Sequence, residues 1–412
     1  MGSFAEIFLG ILTAMGGFVE IGELTFTLNA GTRFGAQLLW VAALGTVGIM
    51  VYCEMAGRIA AVKHRAVFSL IRERAGFSAA LATLVAANIV SLLTCAAEVG
   101  GVALLWQLLS GWPYRGLLLL ALAFFLLVVW FMSFSAIERV FGLGGLLMVV
   151  FIAAALWFKP DWSEVAGGLL PRLPDSSDPR DRLMYLYFAV ALMSSIMLPY
   201  ETYFYASGGI EDRWSSKDIV LNRIVVVVGF ALGALLSVAL VLMGAEFFAN
   251  QDIDPQLPGT AAMGAAAAFG KWGLALAVGG MFFAFAGAAI ETALSAAYNL
   301  AQFAGWPWAK AKRKRDAGRF TLAWGVTFIL AAAIVLTGVD PVKVVEYSIV
   351  FSVVVLPFTY FPVLMVAKDR RIMGKHANGP FANLLGWFYL VAITLAALAA
   401  VPLFLLTHGG QG

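Results

Sequence analysis

Eleven apolar runs, each 18 residues or more and divided by short clusters of charge and turn formers, decide what this chain can fold into. A run of that length is enough to carry a helix across a hydrocarbon core, and inside lipid only helices or closed barrels satisfy their own backbone. The runs predict helices near residues 5–32, 36–61, 78–109, 116–133, 137–158, 183–207, 219–244, 272–303, 320–338, 345–367 and 382–406. Composition points the same way: 62% of residues are hydrophobic and 12% charged, against the roughly 45–50% apolar and 25% charged of soluble domains. The expectation is an all-α polytopic membrane protein forming a single transmembrane domain over residues 1–412. Glu6 precedes the first run and no Lys or Arg does, so no basic leader of a cleaved signal peptide is seen and the first helix is expected to persist. Cys53 and Cys95 fall in separate runs with no metal-ligand spacing, which suggests neither a disulfide nor a zinc site.

Charge sets the expected topology. Of the 27 Lys and Arg residues, 19 lie on the side reached after even-numbered helices, from Arg58 through Lys375, with the densest group at 310–315. The positive-inside rule then places the N-terminus in the cytoplasm and, with eleven spans, the C-terminus outside. The proline-rich stretch 159–182 becomes an external connection between two halves. Compact loops suit a prokaryotic inner membrane. The net charge of +3 implies no nucleic-acid partner, and no obligate protein partner is evident.

Acids inside the runs are the chemically expensive residues, since a charge at the bilayer centre costs about 2.5–3.5 kcal/mol even on lenient scales. Five are deep: Glu20 and Glu23 in the first span, Glu98 in the third, Glu201 in the sixth and Glu291 in the eighth. Glu54 is different, because Arg58 follows one turn later and an ion pair accounts for it. No Lys or Arg stands comparably deep, so protons or a bound cation must neutralise the others.

Two of these groups coincide with helix breakers. Gly16, Gly17 and Gly22 bracket Glu20, and Pro199 immediately precedes Tyr200 and Glu201. Glycine weakens a helix and proline removes a backbone hydrogen bond, so both spans should break at mid-membrane depth. Backbone groups freed there are tolerated only where they line a cavity or hold something. A broken first span followed by four, then a broken sixth followed by four, is the trace of a 5+5 inverted repeat, here about 5–158 and 183–367 with an extra helix at 382–406. The first and sixth spans of such a repeat cross near the midplane, which would bring Glu20, Glu23 and Glu201 together.

At Asn29-Ala-Gly-Thr-Arg-Phe-Gly35, Ala97-Glu-Val-Gly100, Gly338-Val-Asp-Pro341, Leu356-Pro357 and Asp369-Arg-Arg-Ile-Met-Gly374, the chain resembles the Nramp (natural-resistance-associated macrophage protein) family of divalent metal transporters, within the LeuT-type fold. The resemblance implies a metal ion as substrate, with no cofactor, taken through alternating access. It also exposes departures. The family's first-helix Asp-Pro-Gly-Asn becomes Glu20-Ile21-Gly22-Glu23, and its sixth-helix Met-Pro-His-Asn becomes Leu198-Pro199-Tyr200-Glu201. By resemblance, the Gly17 and Ser195 carbonyls would complete the ligand set. Loss of the thioether at Leu198 leaves oxygen donors only, which favours magnesium, manganese or calcium over softer metals. Met197 could take the ligand place only if the register set by Pro199 slipped. The family's third-helix Asp falls at Cys95 and its sixth-helix His at Tyr200, no charged residue lies between Phe320 and Val339, and Glu98 alone of that proton route remains. Passage coupled differently or not at all is therefore expected.

Other functions stay open at this point. An amine or another organic cation could use the same fold, helped by Tyr200, Tyr203 and Tyr205, although those rings also suit packing. Three carboxylates argue against an amino-acid carboxylate as substrate. A relative that binds an ion without moving it is a further alternative. Catalysis is not expected: His64, His376 and His408 lie in loops or at the chain end, away from the apolar interior. Glu98 is assigned either to a proton or intracellular route or to packing. Glu291 is assigned a hydrogen bond to an interrupted helix and is left out of the ligand set.

Overall fold

The computed structural model describes residues 19–174, 178–309 and 316–410. Among them there is no strand, and ten helical stretches are long and apolar enough to cross a bilayer. The first, Ile21–Lys63, divides at a short turn, Gly35–Leu38, into two helices, so the count is close to the eleven apolar runs, the start of the first of which lies outside the described residues. In chain order the helices are α1 (Ile21–Phe34), α2 (Leu39–Lys63), α3 (Val67–Ser110), α4 (Tyr114–Phe131), α5 (Phe134–Trp157), α6 (Pro179–Ile196), α7 (Pro199–Glu211), α8 (Ile219–Met243), α9 (Pro258–Ala304), α10 (Gly318–Leu336), α11 (Pro341–Lys368) and α12 (Pro380–Leu406). The integral membrane character read from the runs stands.

Two helices are longer than their runs. α3 starts at Val67 rather than near 78, and α9 at Pro258 rather than near 272. In each, a glycine with positive φ, Gly76 at 84° and Gly270 at 59°, joins a leading helical stretch to the crossing part. Glycine alone takes that conformation without strain. Hydropathy sees only the apolar portion, so the leading stretches escape it. The basic cluster at 310–315 lies outside the described residues.

Burial sorts the spans into a centre and a rim. In the stretch Pro179–Glu211, which holds α6 and α7, 83% of the most apolar window is buried, against 28% in α4 and in α12. The sixth span is therefore the axis of the molecule, and the fourth and last present most of their surface to lipid. α1 packs on α6, α8 and α9, and α7 packs on α2 and α9.

A close crossing of α1 with the end of α8 uses two glycines. A Cβ on Gly31 of α1 would stand 2.0 Å from the Val241 carbonyl oxygen, and one on Gly244, just past α8, would stand 2.3 Å from that of Leu28. Small residues let transmembrane backbones touch, and van der Waals packing then holds them. Gly31→Val is expected to force α1 and α8 apart and to destabilise the protein by more than about 3 kcal/mol. A thermal-unfolding scan in detergent measures this; an unchanged midpoint would mean the crossing is not tight.

Beyond α11 the chain turns at Asp369, whose carboxylate accepts from the Arg371 amide at 2.8 Å and pairs with Arg74 at 2.7 Å. The amide and the guanidinium together hold this carboxyl below its ordinary range.

Candidate ion-binding site

The sixth span breaks where the sequence places a proline, but just ahead of it. α6 ends at Ile196, Met197 (φ −93°, ψ 63°) and Leu198 (φ −72°, ψ 124°) leave helical geometry, and Pro199 opens α7. Proline is accepted in a first turn because its missing N–H has no partner there anyway. α1 likewise starts abruptly, with Glu20 extended at φ −105°, ψ 173°. The positive ends of two helix dipoles thus lie at buried acids, Glu20 and Glu23 on α1 and Glu201 on α7. Such ends favour nearby negative charge by about 0.3–1 kcal/mol, and up to about 2 when partly buried.

All five deep acids are enclosed: Glu20, Glu23, Glu98, Glu201 and Glu291 are between 0% and 8% exposed. None of them forms an ion pair with a basic side chain among the described residues. Glu54, by contrast, meets Arg58 at 3.0 Å and Arg223 at 3.2 Å, as its spacing from Arg58 predicts.

Each acid has a distinct neighbourhood. Glu98 reaches from α3 to accept the first amide of α1, Ile21 N–H, at 2.8 Å, so it caps a helix that has no capping side chain of its own. Glu20 accepts from the Tyr200 hydroxyl at 3.3 Å and lies within electrostatic reach of both Glu23 and Glu201. Glu23 is turned toward α8, where the Ser237 hydroxyl donates to it, and it also accepts from Thr27 at 3.3 Å. Glu201 lies beside Glu291 of α9, each within electrostatic reach of the other. Tyr200 stands in the middle, within electrostatic reach of Glu20, Glu98, Glu201 and Glu291, and its carbonyl accepts from Ser295 at 3.2 Å.

The three expected ligands are thus neighbours turned to different partners. Among the described residues no three His, Cys, Asp or Glu side chains stand together closely enough to hold a metal ion. One carboxyl oxygen on each of Glu23, Glu98, Glu201 and Glu291 has no hydrogen-bond partner there, so these groups retain acceptor capacity in an enclosed place.

The supporting residues fall around this centre. Ser195 is in the last turn of α6, where carbonyls lack intrahelical partners, and its own hydroxyl donates to Leu192 at 3.0 Å. Leu198 is 2% exposed, and its carbonyl accepts from Tyr360 at 3.4 Å. Gly22 leaves room for the acid beside it: a Cβ there would meet Ile349 at 2.9 Å and a Glu20 carboxyl oxygen at 3.0 Å. Gly17 lies outside the described residues. Tyr203 and Tyr205 donate to Thr359 and Asn222, and Met197 packs beside Gly48.

Ser237, Thr27 and Ser295 were not singled out from the sequence, and Glu291, expected to bond an interrupted helix, lies beside Glu201 of α7. Their only sequence signal is a hydroxyl or acid within an apolar run. Ser237→Ala is expected to release Glu23 from α8 and to change the affinity of the site for a divalent ion by roughly tenfold to a hundredfold, as loss of a partner that orients a ligand does; titration calorimetry reads this, and an unchanged affinity would show that Ser237 does not position Glu23.

Residues 10–402 match the family described as natural resistance-associated macrophage protein-like (Nramp). The chain is 28% identical to the divalent metal cation transporter MntH of Ralstonia nicotianae over 94% of its length and 88% of that protein. It is 26% identical to MntH 1 of Pseudomonas aeruginosa, over 94% and 89%. In structure it is similar to a manganese transporter of Eremococcus coleocola, with a TM-score of 0.77 at 18% identity, covering 100% of this chain and 90% of that one. MhsT, solved with L-phenylalanine, superposes at a TM-score of 0.62 and 18% identity over 97% and 98%. The fold is therefore the LeuT-like one, with an interruption in the sixth span, and it is shared with proteins holding quite different molecules.

Proposed function

The chain belongs to the Nramp family, and from that premise we propose that it is a secondary transporter of divalent metal cations whose site favours hard ions, with Glu20, Glu23 and Glu201 as ligands. The observation that carries this reading is the set of buried carboxylates at the starts of α1 and α7 with no basic counter-charge among the described residues. The named activity of the MntH relatives supports the substrate class.

To take an ion, Glu23 exchanges Ser237 for the metal and Glu201 turns from Glu291 toward it, while Glu20 lies within electrostatic reach of both. The Gly17 and Ser195 carbonyls join the set by family resemblance. With Leu198 in the family's thioether place, every donor is oxygen, and such sites suit magnesium, manganese and calcium. Alternating access moves the helices around this point. The N-terminus is cytoplasmic and the C-terminus external on the positive-inside argument.

Manganese uptake into proteoliposomes of purified protein tests the activity. Magnesium and calcium are expected to compete, and cadmium to compete least; strongest competition by cadmium would contradict an oxygen-only site, and competition by an organic amine alone would move the substrate to the other class.

Proton coupling follows a different route from the family's or is absent. Cys95 stands at the position of one of its acids and donates weakly to the Ala289 carbonyl at 3.7 Å, and Tyr200 replaces its histidine. If coupling is absent, an inward proton gradient changes the uptake rate by less than about twofold, a barrier change below 0.5 kcal/mol. Stimulation of tenfold or more, persisting in Glu98→Gln, would mean coupling by a different route, and its loss in Glu98→Gln would contradict both by restoring the family's.

A further inference from the structure

At the end of the molecule away from α1, a cavity of about 530 Å³ opens between α2, α8 and the start of α12. We propose that it binds one anionic phospholipid, with the phosphate at Arg223 and Lys375 and an acyl chain laid along the helices. Its volume is within the roughly 300–1,000 Å³ of sites that hold small molecules.

Its walls are apolar and face the bilayer: Val47, Val227 and Phe381 line it and are 44%, 55% and 72% exposed. Its rim is charged and unbalanced. The single carboxylate, Glu54, is met by both Arg58 and Arg223. Arg58 is fully engaged, donating also to the His376 carbonyl and to Asn378. The Arg223 side chain is 61% exposed, and Lys375, likewise exposed, makes no ion pair among the described residues. Two basic groups therefore stand above a hydrocarbon-lined groove, where the charge of a lipid phosphate is complementary.

The molecule supplies its own contrast. A groove of about 780 Å³ between α4 and α10 is lined by Leu126, Trp130, Thr321 and Gly325 among others and has no charged lining residue. It offers lipid chains the same apolar surface without headgroup recognition. The charged groove is separate from the ion-binding acids, so this proposal stands whether or not manganese is the substrate.

Native mass spectrometry of the full chain, released from micelles holding equal phosphatidylglycerol and phosphatidylcholine, tests it. Phosphatidylglycerol is expected to be retained preferentially. The double variant Arg223→Ala/Lys375→Ala should lower that preference roughly thirtyfold, what the loss of two basic residues at a membrane surface removes. Val227→Trp, which narrows the groove and keeps the charges, should lower retention too, whereas Gly325→Leu in the uncharged groove should not. Unchanged melting temperature and manganese binding show that the variants fold. Equal retention of the two lipids, or an unaltered preference in the double variant, would overturn the proposal. Displacement of the lipid by inorganic phosphate alone would also overturn it, by showing an anion site without a chain.

Discussion

Glu20→Gln is expected to weaken manganese binding by at least a factor of about 100, more than any other single change of comparable size, because it removes about 2.7 kcal/mol or more of charge interaction in an enclosed site. Glutamine keeps the length of the side chain and can still accept from Tyr200, which donates to Glu20 at 3.3 Å. What disappears is the negative charge that lies within reach of both Glu23 and Glu201. A divalent ion leaving water needs charged oxygens around it, since neutral ones do not repay its desolvation in a low-dielectric interior. Glu54→Gln is the control. That acid meets Arg58 and Arg223 at the edge of a groove, and its loss should leave manganese affinity within about threefold, or 0.7 kcal/mol. Isothermal titration on both variants makes the comparison. Equal losses would mean that bulk negative charge rather than position governs binding.

Leu198→Met should alter selectivity more than affinity. It restores a thioether at the residue before Pro199, where the register of α7 is fixed. Soft sulfur ligands favour softer ions, so competition by cadmium relative to magnesium should rise by about tenfold or more. Leucine and methionine differ little in volume, and the exchange at this buried position should destabilise by less than about 1.5 kcal/mol. A ratio of cadmium to magnesium competition that does not move would show that position 198 does not face the ion.

The architecture was open to reading because membranes impose few solutions. Apolar runs located every crossing helix, and Pro199 located the interruption of the sixth span to within two residues, since α6 stops at Ile196 and α7 begins at Pro199. The acids stood out for the same reason, their insertion being so unfavourable that they draw notice in any apolar run. Their partners were not legible. Nothing in the spacing along one chain relates Ser237 to Glu23, 214 residues away, or Glu291 to Glu201. Glu98 was noted for its depth and its match to a family position, yet its bond to the Ile21 amide depends on where a helix in another span begins. Side-chain pairing across a bundle is set by helix rotation and close approach, as at Gly31 and Gly244, and those follow from three-dimensional packing rather than from hydrophobic period. Gly76 and Gly270 illustrate the same limit, because a positive φ leaves no hydropathy signal.

The most direct measurement is anomalous diffraction at the manganese edge from crystals of the protein grown with that ion. One peak is expected between the starts of α1 and α7, with carboxyl oxygens of Glu20, Glu23 and Glu201 within about 2.6 Å of it, Glu23 turned away from Ser237 and Glu201 away from Glu291. A peak held by other residues, or one that persists after all three glutamates are changed to glutamine, would contradict it.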